Sequence, residues 1–158
     1  AKGSKCLLTV EAYNLLLEAE KLASQKGKVI VVASGFRTQE EQLALWNKFA
    51  KDYPKTEDRK KIVCDPINEK CPHPTGNAVD VLFYEKTIKT MKNIDWVELN
   101  TIMTDVKDAN GKSLWIRYGY EKNILSGEPW HYECCGTDRY DKAKKLEAKT
   151  GKPVTAII

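Results

Sequence analysis

A stripe of apolar residues at helical spacing runs almost directly into a short β-branched run, and that succession constrains the fold more than any other feature. Between Thr9 and Gly27, the residues Ala12, Leu15, Leu16, Ala19, Leu22 and Ala23 recur three and four positions apart, which puts them on one face of an α-helix. Thr9 can cap the first turn with its hydroxyl and Gly27 can end the last. The spacing therefore predicts a helix to about Lys26 with its stripe on a core. Val29 to Ala33 is continuously apolar, the pattern of a buried strand, and it stops at Ser34-Gly35. A helix with one face to bury, next to a buried strand, implies helices packed on a sheet.

The rest of the chain extends that reading. Thr38-Gln39-Glu40-Glu41 has the spacing of a capping box, opening a helix whose Leu43, Trp46, Phe49 and Ala50 are expected to face inward. Residues 52 to 77 carry charges, prolines and a glycine without period, the signature of a long loop; such loops usually have a task. Ala78 to Tyr84 alternates as a strand, with Val79, Val81 and Phe83 on one face and Asp80, Leu82 and Tyr84 on the other. Asp95, with Glu98 three positions on, starts a helix to about Lys107, and Asn110-Gly111 turns the chain. Short strands follow near Leu114 to Arg117 and Trp130 to Cys135, then a helix from about Arg139 to Lys149. The fold class is α+β, a small sheet flanked by helices.

Composition removes several function classes. A chain of 158 residues, 42% hydrophobic and 30% charged, is expected to form a single domain over 1–158, and it holds no apolar run of membrane-spanning length. The net charge of +4, from 26 basic against 22 acidic residues, is scattered and too small to argue for nucleic acid. It is compatible with mild attraction to anionic surfaces such as bacterial wall polymers. Five cysteines is an odd number, so at least one is unpaired or bonded between chains. Cys64 and Cys71 bracket an Asp65-Pro66 turn; a bridge closing that loop and a pair of ordinary thiols are both open.

Only two histidines occur, His73 and His131, and neither sits on an apolar helical stripe. His73 precedes Gly76 and a strand carrying Asp80, and the glycine can fold one side chain toward the other. His131 follows Glu128 by three positions, with Pro129 between them able to bend the chain. Two imidazoles and one carboxylate suit a catalytic zinc with a position left for water, and a second carboxylate can accept that water's proton. Zinc lowers the water's pKa from about 15.7 to about 7, worth roughly 12 kcal/mol, whereas one oxyanion donor is worth only about 3 to 4.

These residues also carry a resemblance. Cys71 to Asp80 is similar to the Ser-x-His-x-x-Gly-x-Ala-x-Asp motif of the LAS-type zinc peptidases of bacterial walls, and Glu128 to His131 resembles their Glu-x-x-His motif. Ser34-Gly35-Phe36-Arg37-Thr38, with Gln42 four residues on, resembles the Ser-Gly-Tyr-Arg-Ser segment of the VanY-type D-alanyl-D-alanine carboxypeptidases. The resemblance spans about residues 30 to 136. It implies a small antiparallel sheet of the Hedgehog/DD-peptidase kind and one zinc ion on His73, Asp80 and His131. Glu128 would be the general base, Arg37 would bind substrate beside the scissile carbonyl, and Gln42 would line that pocket. Cys71 stands where the family has a substrate-contacting serine, and a thiol is a poorer donor. A bridge to Cys64 would instead give Cys71 the task of tethering the His73 loop. Cys135 shares the strand side of His131 and is expected to be a buried, inert thiol.

The implied activity is hydrolysis of the terminal D-alanine of peptidoglycan stem peptides. An L,D-carboxypeptidase or a phage-type L-Ala-D-Glu endopeptidase would use the same metal site, and a Hedgehog-like zinc-binding module is the non-enzymatic alternative. The expected protein is a monomer acting outside the cytoplasm, in periplasm, envelope or medium. No leader-type segment opens the sequence, which is expected either of a mature form or of a chain given without its targeting segment.

Overall fold

A computed structural model describes residues 6–84, 94–117, 122–134 and 155–156. In chain order the elements are β1 (Cys6–Leu7), α1 (Val10–Gln25), β2 (Ile30–Ser34), α2 (Gln39–Lys48), α3 (Thr56–Arg59), a 3₁₀ turn (His73–Thr75), β3 (Ala78–Phe83), α4 (Trp96–Thr104), β4 (His131–Glu133) and β5 (Thr155–Ala156). β2, β3 and β4 form an antiparallel sheet in that order, and β1 pairs with β5 in a separate antiparallel pair. The class is α+β with a small sheet, as the pattern implied, and the sheet is antiparallel, as the resemblance implied.

The caps form where the side chains allow. Thr9 accepts from the Ala12 amide at 3.1 Å, Asp95 accepts from the Glu98 amide at 2.9 Å, and the Thr38–Glu41 box closes in both directions at 3.0 and 2.8 Å. Each satisfies orphan amides of a first turn. From α1, Ala12, Leu16, Ala19 and Ala23 are buried against Val79, Val81 and Phe83 of β3, with Leu99, Ile102 and Met103 of α4 completing the core. The alternation read for β3 holds, leaving Asp80 on the opposite face.

Register builds the site. Ser34 of β2, Asp80 of β3 and His131 of β4 lie opposite one another, one row across the sheet. Ser34 reaches that row only because the register shifts between Val32 and Ser34, where a β-bulge admits an extra residue. Gly76 joins the 3₁₀ turn to β3 at φ +71°, and a Cβ there would sit 3.1 Å from Thr9 Cγ2. We expect Gly76→Ala to destabilise the fold by about 1–3 kcal/mol, measurable by denaturant unfolding.

Several local expectations are corrected. Leu43 of α2 is 38% exposed while Gln42 is 2% exposed; the helix is rotated so that a polar amide with two hydrogen bonds is buried and Leu43 is left outside. Val29 is exposed and the strand begins at Ile30. Leu114 to Arg117 is not a strand: Ile116 makes a single bridge with Glu133, exchanging both amides at 2.9 Å. The long loop carries α3 and the 3₁₀ turn. The expected helix from Arg139 to Lys149 and Cys135 lie outside the described residues.

Candidate active site

His73, Asp80 and His131 come together, with one potential ligand atom from each lying within 4.8 Å of the others. His73 Nε2 is 3.4 Å, and His131 Nδ1 2.8 Å, from Asp80 Oδ1. The other nitrogen of each ring is tied elsewhere. His73 Nδ1 donates to the Gly35 carbonyl at 2.6 Å, so Nε2 is left as the acceptor. His131 Nε2 lies 3.5 Å from Glu133 Oε2. Metal-binding histidines commonly have such a carbonyl or carboxylate partner, which holds the ring and its tautomer. Two ring nitrogens and a carboxylate brought within 4.8 Å of one another, with both rings held from behind, fit a zinc ion.

Glu128 to His131 forms a turn rather than the end of a strand. The His131 amide donates to the Glu128 carbonyl at 3.0 Å, the closing bond of a four-residue β-turn with proline at its favoured second position. That geometry explains how residues three apart serve one cleft. The cleft measures about 630 Å³ and is lined by Glu128, His131, His73, Arg37 and Gln42, with Leu45, Phe49 and Trp130 among its walls. Tyr132 is turned to the core, where its hydroxyl donates to Asn100 Oδ1 at 3.2 Å.

Arg37 stands over Asp80, with Nη2 3.9 Å from its Oδ2 and 3.2 Å from Ser34 Oγ. Gln42 touches the guanidinium directly, its Oε1 accepting from Nη1 at 2.8 Å. Cys71 has no free thiol to offer a substrate. It is 1% exposed and bridged to Cys64 with a Cα separation of 5.7 Å, leaving it no S–H to donate. It precedes His73 by two residues and ties that stretch to Cys64.

The charges are strongly coupled. Burial works against the Asp80 carboxylate, but hydrogen bonds and charge from His131 and His73 hold its pKa far below the usual carboxylate range. Burial likewise opposes charge on His131, yet Asp80 and Glu133 push its pKa up to about 9. Glu128 is raised, first by desolvation and then by the Asp80 charge, against the lowering influence of His131, His73 and Arg37.

A pH dependence follows for the metal-free protein. A raised histidine pKa stabilises fully below its ordinary value near 6.5 and ceases to as pH climbs through about 9. The depressed Asp80 pKa stabilises above its ordinary value of 3.8, and that stabilisation is lost as pH falls through the folded value. A cation must displace the His131 proton, so apparent zinc affinity is expected to rise from pH 6 toward 9 with proton release. Calorimetry in buffers of different ionisation enthalpy counts that proton.

Sequence reasoning missed three supports. Glu133 lies two positions from His131 on the same strand face, a relation the period of two makes available. The Gly35 carbonyl offers no sequence signal. Arg117, 3% exposed, donates from Nη2 to the carbonyls of Ser126 and Glu128 at 2.8 and 3.1 Å, clamping the loop that carries Glu128. Arg117→Met is expected to lower kcat about tenfold with zinc content unchanged, checked by steady-state kinetics beside metal analysis.

Residues 5–137 match the family model VanY: D-alanyl-D-alanine carboxypeptidase. The chain belongs to that family. Membership makes it a peptidoglycan-acting peptidase of the hydrolase class. Solved structures are similar in fold. VanYB in complex with D-alanine-D-alanine aligns with a TM-score of 0.61 at 23% identity, over 90% of this chain and 77% of that one. A D,D-pentapeptidase VanY variant from a VanB-type resistance cassette, in complex with Zn(II), aligns at 0.55 and 23% identity, over 89% and 78%. The LD-carboxypeptidase LdcB aligns at 0.58 and 19% identity, over 90% and 64%. No protein among the curated sequences matches the chain. Among the described residues, no helix of this VanY-family chain is long and apolar enough to cross a membrane.

Proposed function

We propose that this VanY-family chain is a zinc-dependent D,D-carboxypeptidase that removes the terminal D-alanine from stem peptides ending in D-Ala-D-Ala. The observation that carries the reading is the convergence of His73, Asp80 and His131 within 4.8 Å, with both rings held from behind. A zinc ion held by those three residues supplies Lewis acidity and lowers the pKa of water. Glu128 takes the proton of the attacking water and returns it to the departing amine, and its raised pKa suits a group that must do both. Arg37, fixed and charged at the cleft wall, offers donors to the developing oxyanion or to the peptide carboxylate. The substrate class places the work outside the cytoplasm, by a monomer whose single domain spans 1–158.

A second reading has its own support. The fold is as similar to the LD-carboxypeptidase LdcB as to the zinc-complexed VanY, so trimming of the tetrapeptide stem is the alternative, followed by endopeptidase cleavage nearer the other end of the stem. Mass spectrometry of products from defined stem peptides separates them. Loss of one D-alanine from the pentapeptide, abolished by a chelator and restored by zinc, is the expected result. Cleavage of the tetrapeptide alone would favour the L,D reading, and no product from any stem peptide, with or without chelator, would favour a binding module.

A further inference from the structure

Gln42 is a junction. It is 2% exposed and both ends of its amide are used: Nε2 donates to the Cys64 carbonyl at 3.0 Å and Oε1 accepts from Arg37 Nη1 at 2.8 Å. Flipping the amide would set two oxygens face to face at one end and two donors at the other, so a single orientation is stable. Cys64 is in turn bonded to Cys71, two residues before His73. Within the loop that the bridge closes, Asp65, 1% exposed, accepts from the Ile67 and Asn68 amides and from Asn68 Nδ2 at 2.9, 3.3 and 2.9 Å. A continuous chain of contacts therefore runs from the disulfide through the Cys64 carbonyl and Gln42 to the guanidinium of Arg37.

We infer that Gln42 is a positioning residue rather than a substrate contact, and that the Cys64–Cys71 cross-link fixes Arg37 through it. The inference rests on the proposed reaction for its kinetic consequence but not for its geometry. Opening the cross-link frees the loop backbone, the Cys64 carbonyl loses its fixed place, and the amide that depends on it no longer holds the Nη1 edge of the guanidinium. The cation site stands on other supports, the Gly35 carbonyl and Glu133, so zinc content is expected to survive.

The test is a cycle between Cys64→Ala/Cys71→Ala and Gln42→Leu, each separately and combined. Cross-link removal and Gln42→Leu should each lower kcat/KM about tenfold, and the combination should fall no further than about tenfold, because both break one chain of contacts. Nitrogen-15 NMR of the arginine side chains, with Arg37 assigned through Arg37→Lys, reads the positioning directly. Two separate Nη signals are expected in the native chain and one averaged signal in the cross-link-free variant. Losses that multiply to about a hundredfold, or Arg37 signals unmoved when the cross-link goes, would overturn the inference. If the native chain cleaves no peptide, the proposed function fails while the Arg37 signals still decide this question. Should the alanine pair not fold, Cys64→Ser with Cys71→Val keeps more of the buried volume and is read the same way.

Discussion

His131→Ala is expected to abolish zinc binding and peptide hydrolysis together, while the fold survives. His131 contributes one of three converging ligand atoms, opposite Asp80 in the register of β3 and β4. Two remaining donors do not hold a catalytic zinc against solvent, and with the cation goes an effect worth roughly 12 kcal/mol on the acidity of water. Zinc content measured by metal analysis should drop from one ion per chain to none, and turnover should drop to background. The core does not depend on this side chain: Val79, Val81, Phe83 and Tyr132 lie on the other face of the sheet, so the circular dichroism spectrum should be unchanged. Retained zinc with retained turnover would remove His131 from the site.

The second large effect separates chemistry from binding. Glu128→Gln keeps the size and the turn, since the contacts holding that turn are made by the Glu128 carbonyl rather than its carboxylate. An amide cannot accept the proton of the attacking water, and general-base catalysis contributes about 10²–10⁴-fold. We expect kcat to fall by about that factor with KM and zinc content nearly unchanged, the pattern of an interaction made only in the transition state. A variant with full kcat would show that another group takes the proton.

What could be read from the sequence was what depends on neighbours in the chain. α1 and α4 begin where Thr9 and Asp95 cap them, because a cap and a hydrophobic period are both local signals. Likewise, the motifs around His73 and Glu128 identified the residues that meet in the cleft, since their spacing is set by one turn each.

Long-range relations were not legible. The row Ser34, Asp80 and His131 depends on a bulge in β2 and on strand register. On α2 the pattern places Trp46 inward correctly but puts Leu43 there instead of Gln42, because burial of Gln42 depends on Arg37 and on a carbonyl 22 residues away. The choice between a bridge and free thiols at Cys64 and Cys71 depends on how the loop folds back, which spacing alone does not decide. Arg117 acts on Glu128 through backbone carbonyls that any residue possesses, so no residue type could announce it.

The central claim is one zinc ion on His73, Asp80 and His131, and anomalous X-ray scattering at the zinc edge tests it most directly. Crystals grown with zinc should give one strong peak about 2.0–2.2 Å from His73 Nε2, an Asp80 carboxylate oxygen and His131 Nδ1. A zinc-loaded crystal with no peak among these three side chains, or with its strong peak elsewhere on the chain, would contradict it.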